Sequence, residues 1–139
     1  MSDRPTDAIA VVTGIYAAIA ASDIASLLPL IDEQCVITQD PALPWGGRHV
    51  GHEGFGHFAI ALRSAVDSQV EVDAVFAADD DVFVCGRSRG SVVATGARFA
   101  IAIVHRWTVC NGRATAVHYA IDTPAMLDAL APVARTPTA

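Results

Sequence analysis

The stretch from Arg98 to Val109, RFAIAIVHRWTV, is an apolar run long enough to cross a whole β-sheet, and it holds one histidine, His105. With a period of two residues, one face carries His105 among the largest side chains and the opposite face carries smaller ones. The two faces are Phe99, Ile101, Ile103, His105, Trp107 and Val109, and Arg98, Ala100, Ala102, Val104, Arg106 and Thr108. Both are apolar at mid-strand, which is typical of a strand covered on both sides. We expect the His105 face to form a cavity wall and the other face to contact another layer or another subunit.

The segments around this strand also alternate with a period of two. They predict strands at residues 69–78, 82–88, 92–109 and 113–121. The dipeptide Asn111-Gly112 is a two-residue hairpin signal, which places the last strand beside the central one. A second hairpin turn is expected at Asp79-Asp80-Asp81. The second half of the chain is therefore predicted to be an antiparallel sheet.

The first half of the chain shows helical spacing instead. Helices are expected over residues 6–21, 24–31 and 51–66, with a short strand at 35–38 after the second helix. The second helix is expected to bury Ile24. After the sheet, Asp122 precedes Thr-Pro and predicts the start of a short helix that ends at Leu130.

Helices followed by an antiparallel sheet define an α+β fold. We expect a cone-shaped, curved sheet, antiparallel or mixed, that wraps around the N-terminal helices and leaves one pocket between them. A chain of 139 residues suits one domain over residues 1–139, with an ordered core from about 6 to 131.

Composition excludes several classes of function. The net charge is −6, and the nine basic residues are scattered arginines, which argues against binding to nucleic acid. The chain has no lysine, which excludes a lysine Schiff base and a Walker-type phosphate loop. Cys35, Cys85 and Cys110 form no CxxC pair, so neither a zinc cluster nor a disulfide framework is expected. No apolar run reaches the length of a membrane span, and the polar N-terminus lacks the features of a secretory signal, which points to the cytoplasm.

Six short segments occur in an order and spacing that resemble a known superfamily. They are Tyr16–Asp23, Asp40-Pro41, Leu43–Gly47, Gly51–Gly54, His105–Gly112 and Tyr119–Thr123. Together they resemble the nuclear-transport-factor-2-like superfamily, and within it the group of SnoaL-like polyketide cyclases and ketosteroid isomerases. The resemblance covers nearly the whole chain and implies a cystatin-like α+β roll. It further implies cofactor-free acid/base chemistry of the isomerase, cyclase, dehydratase or epoxide-hydrolase kind on an apolar, carbonyl-containing, polyketide-like or steroid-like molecule.

The resemblance also assigns roles to particular residues. Asp40 matches the general base of ketosteroid isomerases, and His105 matches a proton donor of their oxyanion hole. Asp122 matches the acid/base aspartate of SnoaL-like cyclases. When the chain is aligned on Asp23, Ile15 falls where the isomerases carry their oxyanion-hole tyrosine, and Tyr16 follows about 100° further around the helix.

Further side chains are expected to contact the substrate. The set is Tyr16, Trp45, Phe58, Trp107 and Tyr119. Trp45 fits either a loop anchor or a lid over the pocket. Asp40 equally fits a turn residue, and Asp122 fits a helix N-cap. His49, His52, His57 and Glu53 cluster in sequence, but His52 and Glu53 point apart on a helix, so no metal site is expected.

Two further classes of function fit the same pattern. One is a non-catalytic module that binds a small apolar ligand, with His105 only orienting it. The other is a dimeric interaction domain without a ligand. In each case the small residues Ala100, Ala102 and Val104 predict a homodimer through the sheet face opposite the pocket, because soluble monomers seldom expose a contiguous apolar patch.

Overall fold

The computed structural model describes residues 5–131 as four helices and one six-stranded sheet. The helices are α1 Pro5–Ala20, α2 Ile24–Leu27, α3 Gly51–Ala65 and α4 Thr123–Leu130. The strands are β1 Ile31–Gln39, β2 Gly47–Val50, β3 Val66–Ala78, β4 Asp81–Val92, β5 Arg98–Cys110 and β6 Arg113–Ile121. The predicted α+β class and single domain are confirmed, whereas residues 1–4 and 132–139 of the predicted domain lie outside the described part.

The sheet is mixed, in the order β2-β1-β6-β5-β4-β3. Only the β1–β6 pair is parallel, and every other neighbouring pair among these six strands is antiparallel. The turn between β5 and β6 forms at Asn111 and Gly112, whose φ angles are 53° and 77°. Positive φ at both central residues is the geometry of a type I′ hairpin, so the predicted pairing of the last two strands is confirmed.

Glycines on β4 explain why the sheet curves. A Cβ on Gly86 would lie 2.0 Å from the carbonyl oxygen of Glu71, and a Cβ on Gly90 would lie 2.0 Å from that of Asp67. Both oxygens belong to β3, which therefore bends closely over β4 where only glycine leaves room. A register shift between Val72 and Ala74 adds to this bend. The curved, open sheet leaves a concave inner face, against which the helices pack.

Strand β5 is central and alternates between buried and exposed residues along its whole length. Its inner residues, from Phe99 to Val109, join one hydrophobic core with α1, α3 and the neighbouring strands. Its outer residues are open, and Val104 is 41% exposed. Within the chain the helices pack on one face only, so the expected cover of the outer face by another subunit stays a prediction. No helix in residues 5–131 has the length and apolar character needed to cross a bilayer.

Several boundaries differ from the sequence prediction. The second helix is short, because a 3-10 turn at Leu28–Leu30 follows it and β1 begins at Ile31. Ile24 is 62% exposed, so its predicted burial is wrong. Strand β2 lies in the predicted loop, where it pairs with the end of β1. Residues 93–97 form a turn rather than part of the central strand.

Candidate functional site

His105 lies at the middle of a row of side chains that crosses the inner face of the sheet. Tyr119 is directly opposite it on β6, and Val84 is opposite it on β4. Beyond Tyr119 the row continues to Gln39 at the end of β1. His105 and Gln39 are the buried polar side chains of the described residues, since their exposed fractions are 6% and 6%. The row therefore carries polar groups into an otherwise apolar interior.

His105 and four other rings contact one another and form what we call the aromatic cluster. Its members are Tyr16, Phe58, His105, Trp107 and Tyr119. His105 stacks on Tyr16 with a centroid distance of 6.1 Å and meets the edge of Tyr119 at 4.6 Å. Phe58 of α3 stacks on Tyr119 at 5.1 Å. Trp107 is fully buried and contacts both tyrosines edge to face. The structure thus brings together four of the five predicted substrate contacts around His105.

A chain of hydrogen bonds fixes the orientation of His105. The Trp107 indole Nε1–H donates to the Tyr16 hydroxyl oxygen at 3.0 Å, and that hydroxyl lies 2.5 Å from His105 Nδ1. Indole nitrogen can only donate, so it occupies the oxygen of Tyr16 as an acceptor. The Tyr16 O–H is then free to donate to Nδ1, and in that direction Nδ1 is the unprotonated nitrogen of a neutral imidazole. In this arrangement the proton of His105 is on Nε2.

The cluster carries no charge at neutral pH. Burial lowers the pKa of His105 from 6.5 to about 3, because the imidazolium would lose its hydration. Burial also raises the pKa of Tyr16, an effect that the hydrogen bond from Trp107 partly opposes. The pKa of Tyr119 is raised well above 10.0, first by burial and then by the nearby Tyr16 and Cys35. At pH 7 the imidazole and both phenols are therefore neutral hydrogen-bonding groups.

Two of these groups have no hydrogen-bond partner within residues 5–131. They are His105 Nε2 and the Tyr119 hydroxyl, although the two side chains are only 6% and 8% exposed. Among the described residues no fully buried side-chain nitrogen or oxygen lacks a hydrogen-bond partner, so these two atoms each keep some contact with solvent and are open to a ligand. Both can donate a hydrogen bond, and Tyr119 contacts Phe58 and Trp107. The arrangement can hold an uncharged oxygen acceptor among aromatic rings.

The structure does not bring Asp40 into this cluster. Cys35, Ile37 and Gln39 are the inward residues of β1, so the next residue, Asp40, leaves the sheet on the exposed side. Its carboxylate accepts the backbone N–H of Ala42 at 2.9 Å, as expected for the turn interpretation. Its assignment as general base stays a prediction, which this exposed position does not favour.

Asp122 is the N-cap of α4, where its carboxylate accepts the Ala125 backbone N–H at 3.2 Å. The side chain is exposed, so the structure supports the capping alternative and places this carboxylate outside the aromatic cluster.

Trp45 is 2% exposed, and its Nε1–H donates to the Gln39 side-chain oxygen at 2.6 Å. This contact is that of a loop anchor rather than a lid.

Sequence alignment placed Ile15 at the tyrosine position of the isomerases, but the structure shows which residue of α1 reaches the sheet. Ile15 is fully buried in the core, and Tyr16 makes the hydrogen bond to His105. The turn of the helix therefore does not carry Tyr16 away from the site.

Gln39 was missed by sequence reasoning, although its strand parity with Cys35 and Ile37 places it on the inner face.

Two surface clefts are defined, and neither is lined by His105. One, of about 310 Å³, lies between α2 and the start of β1 and includes Glu33, His52 and Arg113. The other, of about 240 Å³, lies at the ends of β5 and β6, where Asp122 borders Ala102.

The histidines near α3 each have a local role. His52 Nε2–H donates to the Ile31 carbonyl at 2.7 Å, and His57 lies 4.0 Å from Glu53 on the exposed face of the helix. His49 packs edge to face against Phe58. Within residues 5–131, no three His, Cys, Asp or Glu side chains are arranged to hold a metal ion.

The fold is that of NTF2-like proteins, as comparison with solved structures shows. An NTF2-like protein from Burkholderia xenovorans is 24% identical with a TM-score of 0.85, and the match covers 92% of this chain and 98% of that one. TerC, crystallised with polyporic acid, is 21% identical with a TM-score of 0.82 over 89% of this chain and 98% of its own. A Xanthomonas campestris protein provisionally named a polyketide cyclase is 18% identical with a TM-score of 0.79, over 91% and 98%.

The pattern of the SnoaL-like domain matches residues 12–117, which is most of the chain. The protein belongs to the SnoaL-like domain family. A comparison with curated proteins finds no match.

Proposed function

We propose that the protein is a cofactor-free enzyme of the isomerase or cyclase type that acts on a small, uncharged carbonyl compound. The observation that carries the proposal is the neutral His105, whose Nδ1 is occupied by Tyr16 and whose Nε2 has no partner within residues 5–131. An N–H group fixed in a dry site stabilises negative charge that develops on a carbonyl oxygen. His105 would donate this hydrogen bond, while Tyr16 and Trp107 hold its tautomer.

The Tyr119 hydroxyl supplies a second donor in this proposal. It lies on the same inner face, directly opposite His105, and has no protein partner within the described residues. A carbonyl oxygen has two lone pairs and can accept from both groups. Neither donor is charged, so an uncharged substrate enters without leaving an ion unpaired in the apolar interior. The flat faces of Phe58 and Tyr119 suit a planar or alicyclic ring system.

A direct test measures how fast 2-tetralone, an uncharged aromatic ketone, enolises. The rate is read from the exchange of its α-hydrogens in D₂O. Loss of one oxyanion donor costs about 10²–10³-fold in rate, so His105→Leu should slow the exchange by that order. Tyr119→Phe likewise removes one donor and keeps the other, so it should slow the exchange by a similar order. His118→Leu changes an exposed histidine on the outer face and is the matched control. Equal rates in wild type and His105→Leu would overturn the proposal.

The binding module is the second candidate, because no carboxylate contacts the aromatic cluster in the described structure. Under this alternative, 2-tetralone binds and depends on His105 but exchanges no faster than it does without protein. If the protein is an enzyme, Asp40→Asn shows whether Asp40 is its base. If Asp40 takes the α-proton, this variant loses exchange while it keeps binding. If solvent takes the α-proton and His105 and Tyr119 only donate hydrogen bonds to the enolate oxygen, the rate is unchanged.

A further inference from the structure

Gln39 is a buried side chain at the end of β1, and its contact with Trp45 uses only the oxygen of its amide group. The Trp45 indole Nε1–H donates to Gln39 Oε1 at 2.6 Å. An indole nitrogen can only donate, so the amide oxygen, and not the amide nitrogen, must face Trp45. This contact therefore fixes the orientation of the amide and turns its Nε2H₂ group away from Trp45.

The Nε2H₂ group of Gln39 has no hydrogen-bond partner within residues 5–131, although the side chain is only 6% exposed. An amide nitrogen that is largely removed from water without a partner costs free energy, and Trp45 needs only an oxygen acceptor. No fully buried side-chain nitrogen or oxygen of the described residues lacks a partner, so Nε2 lies where solvent or a ligand can reach it. The anchoring of Trp45 therefore does not explain why an amide occupies this position.

Gln39 lies in one row with the two donors of the candidate site. Tyr119 on β6 is the register partner both of Gln39 on β1 and of His105 on β5. All three side chains are buried on the inner face of the sheet. Neighbouring strands run about 4.8 Å apart, so each step along this row is roughly 5 Å at the backbone. The row therefore presents three uncharged donors in succession, and suits an uncharged molecule with two oxygen acceptors.

We infer that Gln39 determines specificity by donating a hydrogen bond from Nε2 to a second oxygen of the substrate, while His105 and Tyr119 bind the first. This inference rests on the proposed function, in which the first oxygen is the carbonyl that those two donors bind. Two oxygens on opposite ends of a six-membered ring lie roughly one strand spacing, about 5 Å, apart. The substrate class is therefore a cyclic ketone that carries a second carbonyl or hydroxyl oxygen across its ring.

A matched pair of ligands tests this role. Cyclohexanone has one oxygen, and 1,4-cyclohexanedione carries a second oxygen across the same ring. Their dissociation constants are measured by ¹H–¹⁵N NMR titration of the full chain. Wild type should bind the dione about 5–25-fold more tightly, of which about 2-fold comes from its two equivalent carbonyls and the rest from one net hydrogen bond. In Gln39→Met, which has a side chain of similar length without a donor, the preference should fall to about 2-fold.

Trp45→Phe is the matched control, because it breaks the same hydrogen bond as Gln39→Met but leaves the amide in place. It should keep the preference for the dione. The double variant of Gln39→Met with Trp45→Phe leaves no indole N–H without an acceptor, so it remains testable even if Gln39→Met fails to fold. Its preference should again be about 2-fold. His105→Leu should weaken the binding of both ketones by the same factor, since His105 binds the oxygen that they share.

The outcomes separate this inference from the proposed function. Equal preferences in Trp45→Phe and in the double variant would overturn the inference, whereas the exchange of 2-tetralone alone decides whether the protein is an enzyme. A preference that depends on Gln39 without any exchange would support the inference for a binding module. Failure of the wild type to bind either ketone would overturn it.

Discussion

The pH dependence of stability should depend on His105. Its pKa is about 3 in the folded chain, whereas an unfolded histidine has a pKa near 6.5. Between these values the unfolded chain binds a proton that the native chain does not, so stability rises with pH. The contribution is complete above about pH 6.5 and is lost as the pH falls towards 3.

The magnitude follows from the width of this window. A pH of 4.5 lies about 2 units below the pKa of the unfolded imidazole, which is then protonated, whereas the native imidazole is still neutral. At about 1.4 kcal/mol per unit, His105 should lower the free energy of unfolding by about 2–3 kcal/mol relative to pH 7. Over the full window the loss is about 5 kcal/mol.

Urea denaturation at pH 7 and pH 4.5 isolates this contribution when wild type is compared with His105→Gln. Glutamine can still accept the Tyr16 hydrogen bond but does not titrate. The drop in stability between the two pH values should therefore be about 2–3 kcal/mol smaller in His105→Gln. His57→Gln, an exposed control on α3, should show the wild-type drop. If His105→Gln and wild type lose the same stability, His105 is not buried in the neutral form.

Two further predictions concern packing. Tyr16→Phe removes the acceptor of the fully buried Trp107 N–H and should cost about 1–3 kcal/mol in urea denaturation; an unchanged midpoint would argue against this hydrogen bond. Gly86→Ala places a Cβ 2.0 Å from the Glu71 carbonyl and should destabilise by more than about 2 kcal/mol. Gly56→Ala in α3 has open space and should instead stabilise by up to about 1 kcal/mol; if both glycines respond alike, the close approach of β3 to β4 is wrong.

The alternation from Phe99 to Val109 and the turn at Asn111-Gly112 were sufficient to predict the central strand, its partner and the inward face of His105. The short strand β2 could not be predicted, because its four residues begin at Gly47, directly after Gly46, and pair only with the register of β1. The glycines of β4 likewise show their role only when the bend of β3 is known.

The candidate site was predictable in part, for a similar reason. His105, Trp107 and Tyr119 share an inner face through strand parity, which the sequence specifies. The contact between Tyr16 and His105 joins residues 89 positions apart, and it depends on how α1 lies across the sheet. The family resemblance favoured Asp40 as the general base, but strand parity places its neighbour Gln39, and not Asp40, on the inner face of the sheet.

The most direct measurement of the central claim is the tautomer and charge of His105, read from its two imidazole ¹⁵N shifts in labelled protein across pH 7 to 4.5. The hydrogen-bond chain from Trp107 through Tyr16 predicts a neutral ring with the proton on Nε2 over this whole range. In Tyr16→Phe the preference for this tautomer should weaken while the other histidines keep their wild-type shifts. A ring protonated on Nδ1, or one that becomes imidazolium near pH 6, would contradict the account.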